Sequence, residues 1–313
     1  MQCSFVICNK GVLILLIVFK QILLLAVFVF IGYFLSKTNK IDKCHTKLLS
    51  ALEVNVFLPA LVFKTFSNNF TVKYISENYK LIIISSITVA IIALFAHFFS
   101  KLLTENSYKR SIYTYSLTIP NISYFGYPLT QGIFGEAFLL SVMVFAIPTN
   151  VYMYTLGFSM LTKNKFNAKQ LLNPVIITMI LGAIIGLSGI KLPSFISELL
   201  STASAPVAPI SMLLLGIVLS EYSFSNLLKI KTVYLVTALR LIVIPAVIII
   251  ILKLLGLDMA VIPTIMLFAM PCGLNTVVFP KLVDEDCEIG AALALISTTL
   301  SIITIPIWLH FFI

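Results

Sequence analysis

The chain has 313 residues, of which 60% are hydrophobic and only 11% are charged, whereas ordinary soluble domains carry about 25% charged residues. This composition excludes a soluble globular protein, because too few polar residues remain to cover its surface. The formal net charge of +9 does not indicate nucleic-acid binding, because no such motif is present and lysines in short loops are typical of membrane proteins.

Apolar runs separated by short polar segments predict ten transmembrane helices, because a bilayer core of about 30 Å requires roughly 20 apolar residues per helix. Residues 1–17 are interpreted as an extension of the first span, not as a signal peptide, since no small-residue cleavage pattern follows and the apolar run continues to Leu35. The predicted spans are residues 18–36, 46–66, 80–101, 110–131, 138–161, 173–190, 195–219, 233–256, 259–281 and 288–312.

Basic residues concentrate in the odd-numbered loops. This bias predicts that these loops are cytoplasmic, that both termini lie outside, and that the chain is a multi-pass protein of the cell (plasma) membrane. The second loop weakens the bias, because it contains Lys64, Lys73 and Lys80. The basic residues of the odd-numbered loops are Lys37, Lys40, Lys43, Lys47, Lys101, Lys109, Arg110, Lys163, Lys165, Lys169, Lys229, Lys231 and Lys281.

Prolines recur at a nearly constant offset in the two halves of the chain. Pro59 of span two and Pro209 of span seven are 150 residues apart, and Pro120 of span four and Pro271 of span nine are 151 residues apart. Matched prolines in the same order predict an internal repeat of five spans. Because five is odd, the second repeat must enter the membrane from the opposite face, so the repeats are inverted.

The fold class predicted from these patterns is an all-α membrane protein with two inverted five-helix repeats. The first repeat is predicted at residues 1–162, including the N-terminal extension, and the second at residues 173–313. A short cytoplasmic linker at residues 163–172 joins them. Spans two, four, seven and nine are interrupted by prolines and polar residues, and in spans four and nine a proline near the middle is followed by asparagine and other short polar side chains.

These two interruptions are the predicted substrate site. A proline inside a helix removes a backbone donor and clashes with the preceding turn, and in lipid the freed groups must find partners or line a wet cavity. A half-helix that restarts after each break would turn its N–H groups and its positive dipole end inward, which suits an anion. The alternative is a kink that serves packing alone. The predicted substrate-binding residues here are Pro120, Asn121, Ser123, Pro271, Gly273, Asn275 and Thr276.

Three further polar residues inside predicted spans are candidates for ion coupling: Glu53 and Asn55 of span two, and Arg240 of span eight. A carboxylate inside a membrane is costly, so a functional role such as proton uptake is the default hypothesis for Glu53. Arg240 is expected either to pair with Glu53 or to attract an anion. The alternative for both side chains is that they extend to the cytoplasmic interface.

Three segments of the chain resemble the auxin efflux carrier family, which includes plant PIN exporters and bacterial malate or malonate permeases. They are Phe57 to Phe63, Asn121 to Leu129 and Pro271 to Phe279. The resemblance implies ten helices, a crossover of spans four and nine, carboxylate substrates and elevator-type alternating access. It also implies that Asn150 of span five borders the site, and it makes a homodimer plausible. The short fifth loop resembles the bacterial form.

The predicted function is secondary active transport of a small organic anion, a mono- or dicarboxylate such as malate or an auxin-like acid. No cofactor is expected, and the coupling ion is H⁺, Na⁺ or none. An intramembrane enzyme is the alternative from another class, although no serine elbow, H-E-x-x-H pair or pair of intramembrane aspartates occurs in the sequence. A channel or sensor built on the same fold also stays open.

Overall fold

The computed structural model describes residues 2–41, 45–163, 172–222, 224–281, 283 and 285–312, with the side chains of residues 2–15, 45, 224, 226 and 281 left out. Within those ranges the regular structure is helical, apart from one isolated backbone bridge. The predicted all-α membrane protein is thereby confirmed. The predicted linker at residues 163–172 falls almost entirely outside the described residues, as do Lys43, Lys165 and Lys169.

Helical segments occupy all ten predicted positions. Six of the described helices are long and apolar enough to cross a bilayer by themselves: Leu16–Lys37, Thr46–Asn69, Lys80–Leu103, Ser194–Ser220, Lys231–Leu254 and Glu288–Phe312, which are spans one, two, three, seven, eight and ten. Span five is Glu136–Phe145 followed by Ile147–Thr162, bent by 52°. Span six is the shorter helix Pro174–Ser188. Span four is Ser107–Thr118 followed by Ile122–Gly126 and Tyr127–Phe134, and span nine is Val261–Phe268 followed by Asn275–Lys281.

Within the described part of the chain, four spans contain a single π-helical turn, a feature that the sequence did not predict. Three of these turns end two residues before a proline: Pro59, Pro128 and Pro245. A proline has no N–H to continue the helical ladder and its ring excludes the carbonyl four residues earlier, and a wider turn accommodates both effects. The four turns are Glu53–Phe57, Ile122–Gly126, Met153–Gly157 and Leu239–Val243.

The packing of the first two spans of each repeat follows the predicted inversion. Span one packs along span seven, and span six packs along span two. Spans one and six are equivalent in the two repeats, and so are spans two and seven, so the two contacts are equivalent as well. Both contacts bring backbones together at glycine. A Cβ on Gly32 or Gly216 would overlap a carbonyl of the facing helix, and one on Gly186 would lie 2.6 Å from the carbonyl oxygens of Phe66 and Phe70. Such small-residue contacts are typical of membrane helix pairs.

In space the spans form two groups that cut across the two repeats. Spans one, two, six and seven pack mainly on one another, and spans three, four, five, eight, nine and ten form the second group. An ion pair connects the groups: Lys64 of span two lies 3.1 Å from the carboxylate of Glu136 at the start of span five. The Asn68 amide also donates to Glu136 at 3.1 Å. The two broken spans belong to the second group.

Candidate functional site

The break in span four begins where the sequence predicts it. The helix Ser107–Thr118 ends, Ile119 takes up an extended conformation with φ −107° and ψ 119°, and Pro120 follows. A residue before proline is pushed out of the helical region by the proline ring. The chain resumes a helical path at Ile122 through a π-turn. The interruption is therefore a direct consequence of Pro120.

The two breaks meet at the centre of the second group. The Asn121 N–H donates to the Pro271 carbonyl at 2.8 Å, and Pro120 and Cys272 form an isolated antiparallel bridge. Gly273 fits beside this contact, since a Cβ there would lie 3.4 Å from the carbonyl oxygens of Ile119 and Pro120. The span nine break thus supplies a backbone acceptor for an N–H group of the span four break, as membrane interiors require. The predicted crossover of spans four and nine is confirmed.

Arg240 closes the other side of the crossover. Its side chain is fully buried in the π-turn of span eight and donates to three backbone carbonyls: Leu117 at 2.9 Å, Leu267 at 3.3 Å and Met270 at 3.3 Å. These acceptors lie at or just beyond the carboxyl ends of the first helices of spans four and nine, where helices leave carbonyls unpaired and the dipole is negative. One guanidinium therefore caps two broken helices, with Phe268 packed against it at 5.7 Å.

Asn121 is the most exceptional polar group of the site. Its side chain is only 2% exposed, and both its Nδ2 and its Oδ1 lack a hydrogen-bond partner among the described residues. The side chain also makes no capping bond to the turn that follows. Buried amides without partners are costly and rare. An amide retained in this state is a group that a bound solute can satisfy.

Asn150 of span five lies close by, as the family resemblance implied. Its Nδ2 donates to the Tyr127 hydroxyl at 3.3 Å, while its Oδ1 is buried without a partner in the described structure. The neighbouring Thr149 hydroxyl is also buried and unpaired there. Span five thus adds a second unsatisfied amide to that of Asn121.

Ser123, Asn275 and Thr276, the other predicted polar residues, also lie at the two breaks, but they differ in burial and in hydrogen-bond partners. Ser123 is partly exposed in the π-turn of span four. Asn275 is partly buried, and its Nδ2 lies 3.1 Å from the Met153 sulfur. Thr276 is engaged with backbone, because its hydroxyl donates to the Gly273 carbonyl at 2.8 Å. Of the predicted polar side chains at the crossover, Asn121 is the one whose polar atoms are buried without a partner among the described residues.

Sequence reasoning missed a group of tyrosines around the crossover. Tyr127 bonds to Asn150, Tyr152 lies near Thr118, and Tyr154 lies near Tyr124 and Tyr127. Tyr115 is fully buried on the other side, with its ring edge-on to Phe279 at 6.3 Å. Their crowding beside the two breaks was the available signal. These tyrosines surround the crossover with aromatic rings that carry hydroxyl groups.

The three predicted ion-coupling residues separate in the structure. Glu53 is fully buried in the π-turn of span two, where its Oε1 accepts a hydrogen bond from Ser211 at 2.7 Å. Asn55 is exposed and bonds to the Ala51 carbonyl of its own helix. Arg240 pairs with carbonyls and makes no ion pair with Glu53 in the described structure. Neither Glu53 nor Arg240 extends to an interface.

Comparison with known proteins also divides the chain into two halves. A family model described as membrane transport protein matches the chain twice, at residues 17–168 and 160–309. Similar proteins include an uncharacterized transporter of Methanocaldococcus jannaschii, 26% identical over 303 residues, and an uncharacterized transporter of Methanothermobacter thermautotrophicus, 26% identical over 298 residues. Each alignment covers 92% of this chain and 96% of the relative. The double match coincides with the two halves indicated by the prolines.

Proposed function

Because the chain belongs to the auxin efflux carrier family of membrane transport proteins, we propose that it is a secondary active transporter of a small organic anion. Its substrate is a mono- or dicarboxylate, with malate as the first probe. The protein sits in the cell membrane with both termini outside and the odd-numbered loops in the cytoplasm. A homodimer is the assembly that the family resemblance favours. No nucleic acid is involved.

The observation that carries this proposal is the unsatisfied Asn121 amide at the meeting point of the two breaks. Its Nδ2 is a donor that a carboxylate oxygen accepts, and its Oδ1 is an acceptor that a hydroxyl group satisfies. The Asn150 Oδ1 offers a second acceptor. Arg240, the buried cation nearby, is already bound by carbonyls. A carboxylate is therefore held here by neutral donors, which allows both binding and release.

The two helix groups supply the moving parts for alternating access. The crossover lies within the group of six spans, and spans one, two, six and seven form the surface along which that group slides. The Lys64–Glu136 ion pair joins the two groups at one end, so it must open and close during each cycle. Both side chains are partly exposed, and an ion pair in water is weak enough for this.

Transport of labelled malate into proteoliposomes tests the proposal. Vesicles preloaded with unlabelled malate are expected to take up label faster than empty vesicles, because a carrier exchanges its substrate. A channel would show equal rates, and an enzyme would convert malate without moving it; either result would contradict the proposal. Asn121→Ala is expected to slow the exchange at low malate concentration by roughly 10- to 100-fold. Asn78→Ala, which removes an amide bonded within a surface helix, is the matched control. If malate fails, a panel of carboxylates follows, and failure of the whole panel overturns the proposal.

A further inference from the structure

Glu53 is a buried titratable group that the crossover site does not use. It lies in the group of spans one, two, six and seven, and is the first residue of the π-turn that ends two residues before Pro59. Ser211 of span seven faces it, two residues after Pro209, the repeat-related proline. The carboxyl group therefore lies where the corresponding spans of the two repeats pack together. Single π-turns are frequent at functional sites.

The surroundings of Glu53 leave a negative charge uncompensated. Its Oε1 accepts one hydrogen bond, from Ser211, while its Oε2 is buried without any partner among the described residues. No lysine, arginine or histidine in the described structure forms an ion pair with it. A carboxylate with one neutral donor in a membrane interior is strongly unfavourable. A bound proton removes that charge.

The same contacts disfavour a metal cation. Hard cations need several oxygen ligands around them, and the described neighbours of Glu53 supply one serine hydroxyl at hydrogen-bond distance. The titratable groups on the facing elements are few. Tyr124 of span four lies near the carboxyl group, span six has none between Pro174 and Ser188, and the Glu198 of span seven is exposed. The proton is the ligand that this arrangement fits.

We propose that Glu53 is the proton-binding site that couples anion transport to the proton gradient, an inference that rests on the proposed function. The carboxylate takes one proton from water at one face of the membrane, forming an O–H bond, and returns it to water at the other face. The link to the substrate site is Tyr124, which lies in the π-turn directly after the Pro120–Asn121 break. A change of charge at Glu53 therefore acts on the element that carries Asn121.

Glu53→Gln is the decisive variant, because it keeps the shape and hydrogen-bonding capacity of a protonated glutamate but cannot ionise. In proteoliposomes, the unmodified protein is expected to accumulate labelled malate when the outside is acidified. E53Q is expected to retain exchange of malate for malate and to lose the accumulation. Glu198→Gln removes an exposed carboxylate of span seven and should behave like the unmodified protein. Accumulation by E53Q at the unmodified rate would overturn the inference.

A second measurement separates this inference from the proposed function. Infrared spectra of the purified protein are expected to contain a protonated-carboxyl band at neutral pH that E53Q lacks and E198Q retains. Its absence from the unmodified protein overturns the proton site even if malate is transported. Should no carboxylate be transported while the band is present, the proposed substrate is wrong and the proton site stands. If E53Q does not fold, Ser211→Ala is used in its place. This variant removes the hydrogen bond to Glu53 and is expected to shift the protonated-carboxyl band. An unshifted band would count against Glu53 as the proton site.

Discussion

The two breaks occupy equivalent positions in the repeats but differ in how their polar groups are satisfied. In span nine, the Thr276 hydroxyl donates to Gly273, and the Cys272 N–H donates to Ser297 of span ten at 2.9 Å. In span four, the Asn121 side chain has no partner in the described structure. The inverted repeat therefore conserves the position of the break but not its chemistry. The span nine break is internally supported, while the span four break presents free amide groups.

The difference follows from what packs behind each break. Span ten lies close against span nine at Gly290, where a Cβ would overlap the Thr276 carbonyl, and its Ser297 completes the backbone bonding. Span five offers Asn150 behind span four, and this amide is itself only half satisfied. We infer that ligand binding depends mainly on the span four break, and that the span nine break maintains the geometry of the crossover.

The largest loss of stability is expected from a change at Arg240, because its guanidinium donates to carbonyls at both breaks. Arg240→Ala removes three hydrogen bonds from a charged donor, each worth about 1.5–3 kcal/mol, and leaves carbonyls of both spans without partners. We expect stability to fall by at least about 3 kcal/mol, measured as thermal unfolding in detergent. Arg110→Ala, whose guanidinium makes only long contacts of 3.4–3.5 Å at a helix start, is the control. Equal stability of the two variants would show that Arg240 does not hold the crossover.

Asn121→Ala tests the open break directly. A hydrogen bond to a charged ligand is worth about 1.5–3 kcal/mol, which corresponds to a loss of roughly 10- to 100-fold in transport at low substrate concentration. Folding stability should change by less than about 1 kcal/mol, because the amide has no partner to lose. Malate exchange and thermal unfolding, measured on the same preparation, check the predicted effects on transport and on stability. Loss of stability with normal transport would show that Asn121 supports the fold and does not bind the substrate.

Asn275→Ala is expected to have a smaller effect on transport, about fivefold, or roughly 1 kcal/mol. The amide is partly exposed and already contacts the Met153 sulfur, so less of its hydrogen-bonding capacity is available to a ligand. Exchange rates of the two single variants and of the double variant with Asn121→Ala give the coupling between the breaks. A loss equal to that of Asn121→Ala would mean that the breaks contribute symmetrically.

Thr276→Val is expected to give the smallest change in transport, less than about twofold, with a loss of stability near 1 kcal/mol. Valine keeps the shape of threonine but removes the hydroxyl that donates to Gly273. Thermal unfolding should therefore report the change while exchange stays nearly constant. Strong loss of exchange without loss of stability would place Thr276 in contact with the substrate.

Much of the fold could be read from local properties of the sequence. Apolar runs of sufficient length specify spans, because burial of backbone polar groups in lipid leaves helices as the available solution. Pro120 and Pro271 specify the breaks, because proline cannot continue the helical ladder. The constant offset between the halves then specified the inverted repeat. Of the candidate site, the positions of Asn121 and Asn275 at the breaks followed from the same reasoning, whereas that of Asn150 was implied by the family resemblance.

The tertiary structure decided which polar groups are satisfied and by what. The partners of Arg240 lie 123, 27 and 30 residues away, and Ser211 lies 158 residues from Glu53, so no local pattern reports them. Three of the π-turns depend on how a proline is accommodated against neighbouring helices. By itself the sequence determined where the helices lie and where two of them break, because these are properties of consecutive residues. Only the packing decided that the polar groups of one break are satisfied by its neighbours while the Asn121 amide of the other has no partner among the described residues, because hydrogen-bond satisfaction depends on groups from distant spans.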